Sequence, residues 1–161
     1  MLKYTICFII RDGQCLLLNR HQAPVQGLWH GVGGKLEKGE KPADGVIREV
    51  REETGIELNS VTFKGLVTWK EDGEEDGMYA FIAHMPKHFE YPTPREVREG
   101  ILAWKDLSWV MAADNQGVAA HVKKFLPVML SDPHCYEHRC VFAGNRLIDY
   151  QASVLEADMM V

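Results

Sequence analysis

Hydrophobic residues along the chain fall into short runs typical of β-strands and two longer stretches with helical spacing. The strand-like runs are rich in β-branched and aromatic side chains and cover residues 4–10, 15–18, 61–69, 78–85 and 101–104. Asp12-Gly13, between the first two runs, predicts a tight hairpin turn. A second hairpin is predicted near the C-terminus, where residues 139–143 and 147–152 flank a short polar turn.

The two helical stretches repeat apolar residues at steps of three and four. In the first, Pro42 suits the opening turn of a helix and Gly55 suits the position just past its end, so a helix of about three turns is predicted between them. In the second, residues 116–130 are predicted to form a helix that Asp114 or Asn115 would cap.

Segments with proline, glycine or many charges predict loops at residues 19–28, 70–77 and 91–99. The acid run in 70–77 could supply a metal ligand, but a solvated hairpin tip is favoured. Pro127 is expected to bend or end the second helix early, because a proline in a helix interior removes a backbone donor. Residues 154–161 are expected to fray.

Composition places the chain among ordinary soluble proteins. A length of 161 residues with 46% hydrophobic residues fits one domain over residues 1–161, and the formal net charge is -5. Lysines and arginines are dispersed and outnumbered by acids, which argues against a nucleic-acid polymer as partner. The sequence shows no membrane span or signal peptide, and four cysteines suit a reducing compartment. We therefore predict a cytoplasmic protein without a membrane partner. The oligomeric state cannot be predicted.

The first predicted helix carries an acidic cluster. Glu49 and Glu53 lie one turn apart on one face, with Glu52 beside them. Like charges at this spacing repel, and a bound cation would remove that cost; carboxylate oxygens are the ligands that Mg²⁺ or Mn²⁺ prefers. The alternative is a surface helix end on which Arg48 pairs with Glu52.

The spacing of these residues resembles the Nudix box. That pattern runs Gly, five residues, Glu, seven residues, Arg-Glu, an apolar residue, any residue, Glu-Glu, any residue, Gly and an apolar residue. Its places are filled here by Gly34, Glu40, Arg48, Glu49, Val50, Glu52, Glu53, Gly55 and Ile56. The resemblance implies an α/β Nudix fold, with a mixed β-sheet sandwiched between helices and a loop-helix motif. It also implies a Mg²⁺-dependent hydrolase, with Mn²⁺ as a possible substitute.

The resemblance also implies roles for individual residues. Glu49, Glu52 and Glu53 would bind the metal, and Arg48 would orient these glutamates through charge-assisted hydrogen bonds. Glu99 resembles in context a glutamate outside the box in MutT-type members, although it also suits an exposed acid at a strand end. Glu49 is favoured as the general base, with Glu53 and Glu99 as alternatives.

A glycine-rich turn precedes the box and lets the backbone approach a ligand closely. The carbonyl of Gly33 is therefore a further candidate metal ligand and Lys35 a candidate phosphate contact, although a plain tight turn is the commoner case. His30 stands where the human-type sanitising enzyme has an asparagine that touches the purine, and a structural histidine is an equal alternative. Arg20 is a further candidate for substrate binding.

Asn115 resembles the asparagine with which MutT-type enzymes hold an oxidised guanine, and its alternative role is the helix cap. The expected reaction is hydrolysis of a nucleoside triphosphate, such as 8-oxo-dGTP or a related oxidised purine nucleotide, to the monophosphate and pyrophosphate. Hydrolysis of ADP-ribose or another nucleoside diphosphate derivative is one alternative, and a non-catalytic nucleotide sensor is another.

Two histidines and two cysteines near the C-terminus are candidate ligands for a second metal by residue type. His134, Cys135, His138 and Cys140 lack the paired spacing of zinc ligands, so they are predicted to be strand residues.

Overall fold

The fold is a nine-stranded sheet with helices on both faces, and the computed structural model describes residues 1–156. The strands are β1 (Tyr4–Arg11), β2 (Gln14–Arg20), β3 (Trp29–His30), β4 (Thr62–Glu71), β5 (Glu74–His84), β6 (Arg95–Val97), β7 (Gly100–Asp106), β8 (Tyr136–Ala143) and β9 (Arg146–Val154). The helices are α1 (Pro42–Thr54), α2 (Leu107–Val110) and α3 (Val122–Ser131). None of the helices in this described part is long and apolar enough to cross a membrane.

The sheet is mixed, with strand order β6-β7-β2-β1-β5-β4-β8-β9 and β3 paired to β2. Strand β1 runs parallel to β5, and β4 runs parallel to β8, whereas the other pairs are antiparallel. Each parallel pair joins segments far apart in sequence, because Tyr4 is opposite Met78 and Gly65 is opposite Tyr136.

Strand β1 is buried on both faces, as its continuous apolar run requires. Its side chains alternate between two apolar clusters. Ile6 and Phe8 belong to the cluster that includes Phe125 of α3, and Cys7 belongs to the cluster that includes Val46 of α1. The sheet therefore lies between α1 and α3, which confirms the predicted mixed sheet between helices.

A short extended segment, residues 29–35, lies between β1 and β2 where these two strands separate. His30 pairs with Leu18 of β2, while Val32 pairs with Cys7 of β1. Gly33 packs so closely on β1 that a Cβ atom there would overlap the carbonyl oxygen of Thr5. This segment leads directly into the loop before α1 and so fixes where that helix starts.

Several local predictions are confirmed. Helix α1 begins at Pro42, ends at Thr54 and is followed by Gly55 in the left-handed conformation, with φ 79°. The β1–β2 turn is Asp12-Gly13, and both residues have positive φ. The C-terminal hairpin forms as β8 and β9.

The favoured hairpin tip at residues 70–77 is confirmed, but the predicted loop is too long. Strands β4 and β5 continue pairing as far as Glu71 and Glu74, which leaves a two-residue turn, Asp72-Gly73. The charged residues belong to a solvated hairpin, because Lys70 and Glu75 face each other across the strands with an N···O distance of 3.8 Å. The predicted loop at residues 91–99 likewise contains the short edge strand β6.

The second helix differs from its prediction at both ends. It begins at Val122 rather than near residue 116, so Asn115 is too far away to cap it, and the residue before the helix, His121, makes no side-chain cap. Pro127 lies inside the helix, which continues to Ser131. Burial of the α3 stripe, Phe125 included, outweighs the loss of one backbone donor. The predicted fraying concerned residues 154–161, of which Val154 is in β9 and 157–161 lie outside the described residues.

Candidate active site

Arg48 lies at the centre of the hydrogen-bond network in the loop-helix motif. Its Nε and Nη2 donate to the two carboxylate oxygens of Glu40 at 2.8 and 2.9 Å, and Nη1 donates to Glu49 at 3.0 Å and to Glu52 at 3.1 Å. Nη2 also donates to the carbonyl of Lys35 at 3.1 Å. The hydrogen bonds from Arg48 lower the pKa of Glu40 to about 2. Arg48 therefore ties the helix to the loop before it through charge-assisted hydrogen bonds.

Two glycines allow the loop to lie against α1. A Cβ atom at Gly34 would overlap the carboxylate of Glu49, and a Cβ atom at Gly45 would overlap the side chain of Leu36. Gly34 therefore leaves the space that the Glu49 carboxylate occupies. Gly45 sits within the helix at a cost in helix propensity, and close packing of the loop explains its presence.

Glu53 lies at the buried side of the acidic cluster. It is 9% exposed, and its Oε2 is buried with no hydrogen-bond partner in the described residues. The pKa of Glu53 is raised to about 8, chiefly by burial and also by the nearby charges of Glu99 and Glu49, whereas Arg20 and the backbone amide of Gly33 act in the opposite direction. The structure thus brings five candidate residues from four separate parts of the chain close together: Arg20, Gly33, Glu49, Glu53 and Glu99.

Gly33 presents its backbone groups to this cluster. Its neighbours Val32 and Gly34 bond to Cys7 and Thr5 of β1, so in extended backbone the N–H and C=O of Gly33 face away from β1. Its carbonyl accepts no hydrogen bond from the part of the chain that the structure describes. With Glu53 Oε2, this gives two uncommitted oxygens of the kind that Mg²⁺ and Mn²⁺ prefer. The donor set therefore fits a divalent cation.

Arg48 engages two of the candidate metal ligands, Glu49 and Glu52. Glu49 is largely buried, with 14% of its side chain exposed, whereas Glu52 is 54% exposed. Burial raises the pKa of Glu49 against the opposing effect of Arg48. Among residues 1–156, no three His, Cys, Asp or Glu side chains already converge as a metal cluster.

His30 has both ring nitrogens engaged within the protein. Nδ1 accepts a hydrogen bond from the backbone N–H of Gly31 at 2.8 Å, and Nε2 lies 3.2 Å from Nε2 of His121. Burial lowers the pKa of both histidines, that of His121 to about 4, so the pair is neutral near pH 7. This arrangement corresponds to the structural alternative for His30.

Asn115 stabilises the loop before α3. Its Nδ2 donates to the carbonyl of Trp109 at 2.7 Å, and its Oδ1 accepts from the N–H of Gly117 at 2.8 Å. Nearby, the Lys105 ammonium lies 4.5 Å from the ring centre of Trp29 and 5.0 Å from that of Trp109, which is 40% exposed. Sequence reasoning missed this aromatic cluster, although Trp29, directly after a predicted loop, was an available signal.

The other predicted residues are more dispersed. Lys35 is exposed next to the loop-helix motif. His134 is exposed and lies 2.9 Å from Asp132, whereas His138 is fully buried against Tyr150, so these two histidines do not share a site. His138 and Cys140 are in β8 as predicted, but His134 and Cys135 precede that strand, so the prediction of strand residues is wrong for these two. Two surface clefts, one beside the end of α3 and one beside Trp104, contain none of the candidate site residues.

Comparisons with known proteins agree with this arrangement. The NUDIX domain family model matches residues 1–128. The uncharacterized Nudix hydrolase YvcI of Bacillus subtilis is 34% identical over 129 residues, covering 77% of this chain and 78% of the relative. The oxidized purine nucleoside triphosphate hydrolase of Mus musculus is 28% identical over 111 residues, covering 69% and 70%. The crystal structure of a mutator MutT protein from Bacillus halodurans superposes with a TM-score of 0.79 at 26% identity and covers 95% of this chain and 98% of its own. The chain therefore belongs to the Nudix hydrolase family, which confirms the resemblance found in its sequence.

Proposed function

We propose that the protein hydrolyses a nucleoside triphosphate, with 8-oxo-dGTP or a related oxidised purine nucleotide as substrate, to the monophosphate and pyrophosphate. The observation that carries the reaction class is the buried carboxyl group of Glu53 beside Glu49 and Glu99, in which Oε2 has no hydrogen-bond partner among residues 1–156. The similarity to the mouse hydrolase supports the substrate class.

A divalent cation, Mg²⁺ or Mn²⁺, would be held by Glu49, Glu52, Glu53, Glu99 and the carbonyl of Gly33. When bound, such an ion neutralises charge between phosphates and carboxylates and lowers the pKa of water. Without such an ion, the glutamates would repel a triphosphate.

Glu49 is proposed as the general base. Burial raises its pKa, and a carboxylate that holds a proton more tightly is better suited to accept one from an attacking water. Arg48 keeps one oxygen of Glu49 engaged at 3.0 Å and so fixes the position of the other. The proton moves from water to Glu49, the water oxygen bonds to phosphorus, and the phosphoanhydride bond breaks to release pyrophosphate.

Substrate binding is assigned to residues around this cluster. Lys35 and Arg20 carry positive charge that suits the phosphates. Asn115 retains one N–H and one lone pair beyond its two internal bonds, and its amide therefore suits a purine edge that offers a donor and an acceptor together. The exposed face of Trp109 suits stacking of a base. His30 would border the base through its ring rather than through a free nitrogen.

The test is a hydrolysis screen with Mg²⁺ over dGTP, 8-oxo-dGTP, the other nucleoside triphosphates and ADP-ribose, with products identified chromatographically. We expect kcat/KM for 8-oxo-dGTP to exceed that for dGTP by at least about tenfold, which is the effect of one discriminating contact of about 1.4 kcal/mol. Preferential cleavage of ADP-ribose would replace the substrate assignment and keep the hydrolase. Binding of nucleotides without turnover would support the sensor alternative.

A further inference from the structure

Tyr91 lies outside the box motif but contacts the end of the helix that carries the glutamates. Its side chain is buried, with 7% exposed, and its hydroxyl donates a hydrogen bond of 2.6 Å to the carbonyl oxygen of Thr54. Thr54 is the last residue of α1, so its carbonyl has no partner within the helix. The Tyr91 hydroxyl therefore satisfies a backbone acceptor at the C-terminus of α1.

The backbone of Tyr91 is attached in turn to strand β7. Its carbonyl oxygen accepts a hydrogen bond of 2.9 Å from the indole Nε1 of Trp104, and the backbone N–H of Trp104 donates to Thr93 Oγ1 at 3.3 Å. Strand β7 begins at Gly100, immediately after Glu99. Tyr91 thus connects the helix of Glu53 with the strand that follows Glu99.

The last turn of a helix usually frays, because its carbonyls lack partners. In α1 this turn holds Glu52 and Glu53, so fraying would move two of the proposed ligands. Two local bonds oppose it: Gly55 N–H donates to the Arg51 carbonyl at 2.8 Å, and Thr54 Oγ1 donates to the Val50 carbonyl at 2.6 Å. Both bonds lie within the motif, and neither relates the helix end to Glu99.

We propose that Tyr91 is a positioning residue that fixes the last turn of α1 against β7 and thereby sets Glu53 relative to Glu99. The inference rests on the proposed function in that these two glutamates are taken as cation ligands. The Tyr91–Thr54 hydrogen bond joins residues 37 positions apart. Tyr91 contacts neither glutamate directly and acts on them through Thr54 and Trp104. The box pattern, residues 34–56, does not include Tyr91.

The test is Tyr91→Phe, which keeps the ring and removes only the hydroxyl. Mn²⁺ alone serves as the probe, and its dissociation constant is measured by electron paramagnetic resonance on the full chain. We expect the dissociation constant to rise about fivefold or more, as for loss of one well-formed hydrogen bond to a buried acceptor. In the metal-free protein, amide exchange at Glu53, Thr54 and Gly55 should accelerate more than exchange in the first turns of α1.

Tyr79→Phe is the matched control. Tyr79 is a buried tyrosine of the same apolar cluster, and its hydroxyl accepts a hydrogen bond at 3.3 Å from the N–H of Leu2, a residue outside α1. This variant should lose a hydroxyl without changing Mn²⁺ affinity. Trp104→Phe removes the indole donor to the Tyr91 carbonyl and should shift Mn²⁺ affinity in the same direction as Tyr91→Phe, by a smaller factor.

The inference is overturned if folded Tyr91→Phe binds Mn²⁺ like the wild type, or if Tyr79→Phe weakens binding equally. Failure of the proposed function has a different signature. If the wild-type protein binds Mn²⁺ but hydrolyses no nucleotide, the substrate assignment is lost, while the comparison of metal affinities still decides the role of Tyr91.

Discussion

The Glu53 carboxyl group is buried beside two other carboxylates, and its Oε2 has no partner in the described residues. Its pKa of about 8 exceeds the ordinary value of 4.5, so the folded protein holds this proton more tightly than the unfolded chain does. The associated stability is complete below pH 4.5 and is lost as the pH rises to 8, which amounts to about 5 kcal/mol. Folding therefore favours a protonated Glu53, whereas cation binding requires the carboxylate.

Glu53→Gln should separate these two demands. We expect turnover to fall at least about 100-fold, or about 2.7 kcal/mol in the barrier, because an anionic ligand is lost. The metal-free variant should at the same time be more stable than the wild type at pH 8, because no buried charge forms. Steady-state kinetics and urea unfolding at pH 5 and pH 8 measure both effects.

Glu57→Gln is the control, since Glu57 is exposed just beyond the helix and should leave both quantities unchanged. Saturating Mg²⁺ should raise the stability of the wild-type protein at pH 8 and have little effect on the stability of Glu53→Gln. Wild-type turnover in Glu53→Gln would remove Glu53 from the proposed ligands.

Asn115→Asp tests the amide at the loop before α3. The carboxylate can still accept from Gly117, but it cannot donate to the Trp109 carbonyl or to a base. We expect the preference for 8-oxo-dGTP over dGTP to shrink by about 1 to 3 kcal/mol, measured as a ratio of kcat/KM values. Asp114→Asn changes the neighbouring exposed charge and should leave the ratio intact. An unchanged ratio in Asn115→Asp would limit Asn115 to a role in the loop.

At the residue scale, the sequence predicted which glutamates lie on one face of α1 but not every contact that holds them in place. The spacing in α1 places Glu49 and Glu53 on one face, because helical periodicity is a local property. The partner of Arg48 with the shortest contact is Glu40, which lies in the loop before the helix and was not predicted as a partner. Arg48 also contacts Glu49 and Glu52, which the sequence did indicate as partners. The Tyr91 contact could not be predicted, because it depends on tertiary packing.

At the element scale, α1 was predicted to its ends because the stop signals are built into its own sequence. Pro42 and Gly55 act through backbone geometry and need no tertiary partner. The start of α3 was missed because its apolar stripe extends upstream into residues that pack as a turn, where Val118 is buried beside Trp29. The strands of the β4–β5 hairpin were predicted too short, because charged, solvated strand ends resemble a loop in sequence.

Gly45→Ala provides a test of this element. In an exposed helix the substitution stabilises by about 1 kcal/mol, because alanine has the higher helix propensity. Here the added methyl group would overlap Leu36 and lie 2.9 Å from Glu40 Oε1, so we expect a loss of about 1 to 3 kcal/mol from overpacking. Urea unfolding decides the sign.

Asp44→Ala changes the adjacent exposed position and should alter stability by less than about 1 kcal/mol. Stabilisation by Gly45→Ala would show that the loop yields without cost, and the close packing assigned to Gly45 would be wrong.

At the scale of the whole molecule, buried groups of two kinds give opposite dependences of stability on pH. Burial lowers the pKa of His121 and His138 to about 4, so their stability contribution is complete above pH 6.5 and is lost as the pH falls toward 4. Each contributes up to about 3 kcal/mol. Glu53 acts in the other direction between pH 4.5 and 8. Between pH 4.5 and 6.5 the buried histidines, to which His30 also belongs, outweigh the one glutamate, so stability rises with pH. Above pH 6.5 only the contribution of Glu53 still changes, and stability falls.

The metal-free protein should therefore be most stable near pH 6.5, which urea unfolding between pH 4.5 and 8 would measure. The double variant His138→Phe, Tyr150→Phe removes both partners of the 2.7 Å contact and should weaken the loss of stability on the acid side. His84→Gln replaces an exposed histidine and should not change the profile. Stability that rises steadily from pH 6.5 to 8 would contradict the opposing contribution of Glu53.

The parallel pairing of β1 with β5 has a consequence for synthesis of the protein on the ribosome. Helix α1 ends at Thr54, whereas β5, which flanks the whole length of β1, begins only at Glu74. A nascent chain that already contains every residue of the box thus lacks the strand that completes the sheet under α1, and the entropy of closing this long connection is still to be overcome. The motif that identifies the family is contiguous in sequence, but its folded form depends on chain that is translated later.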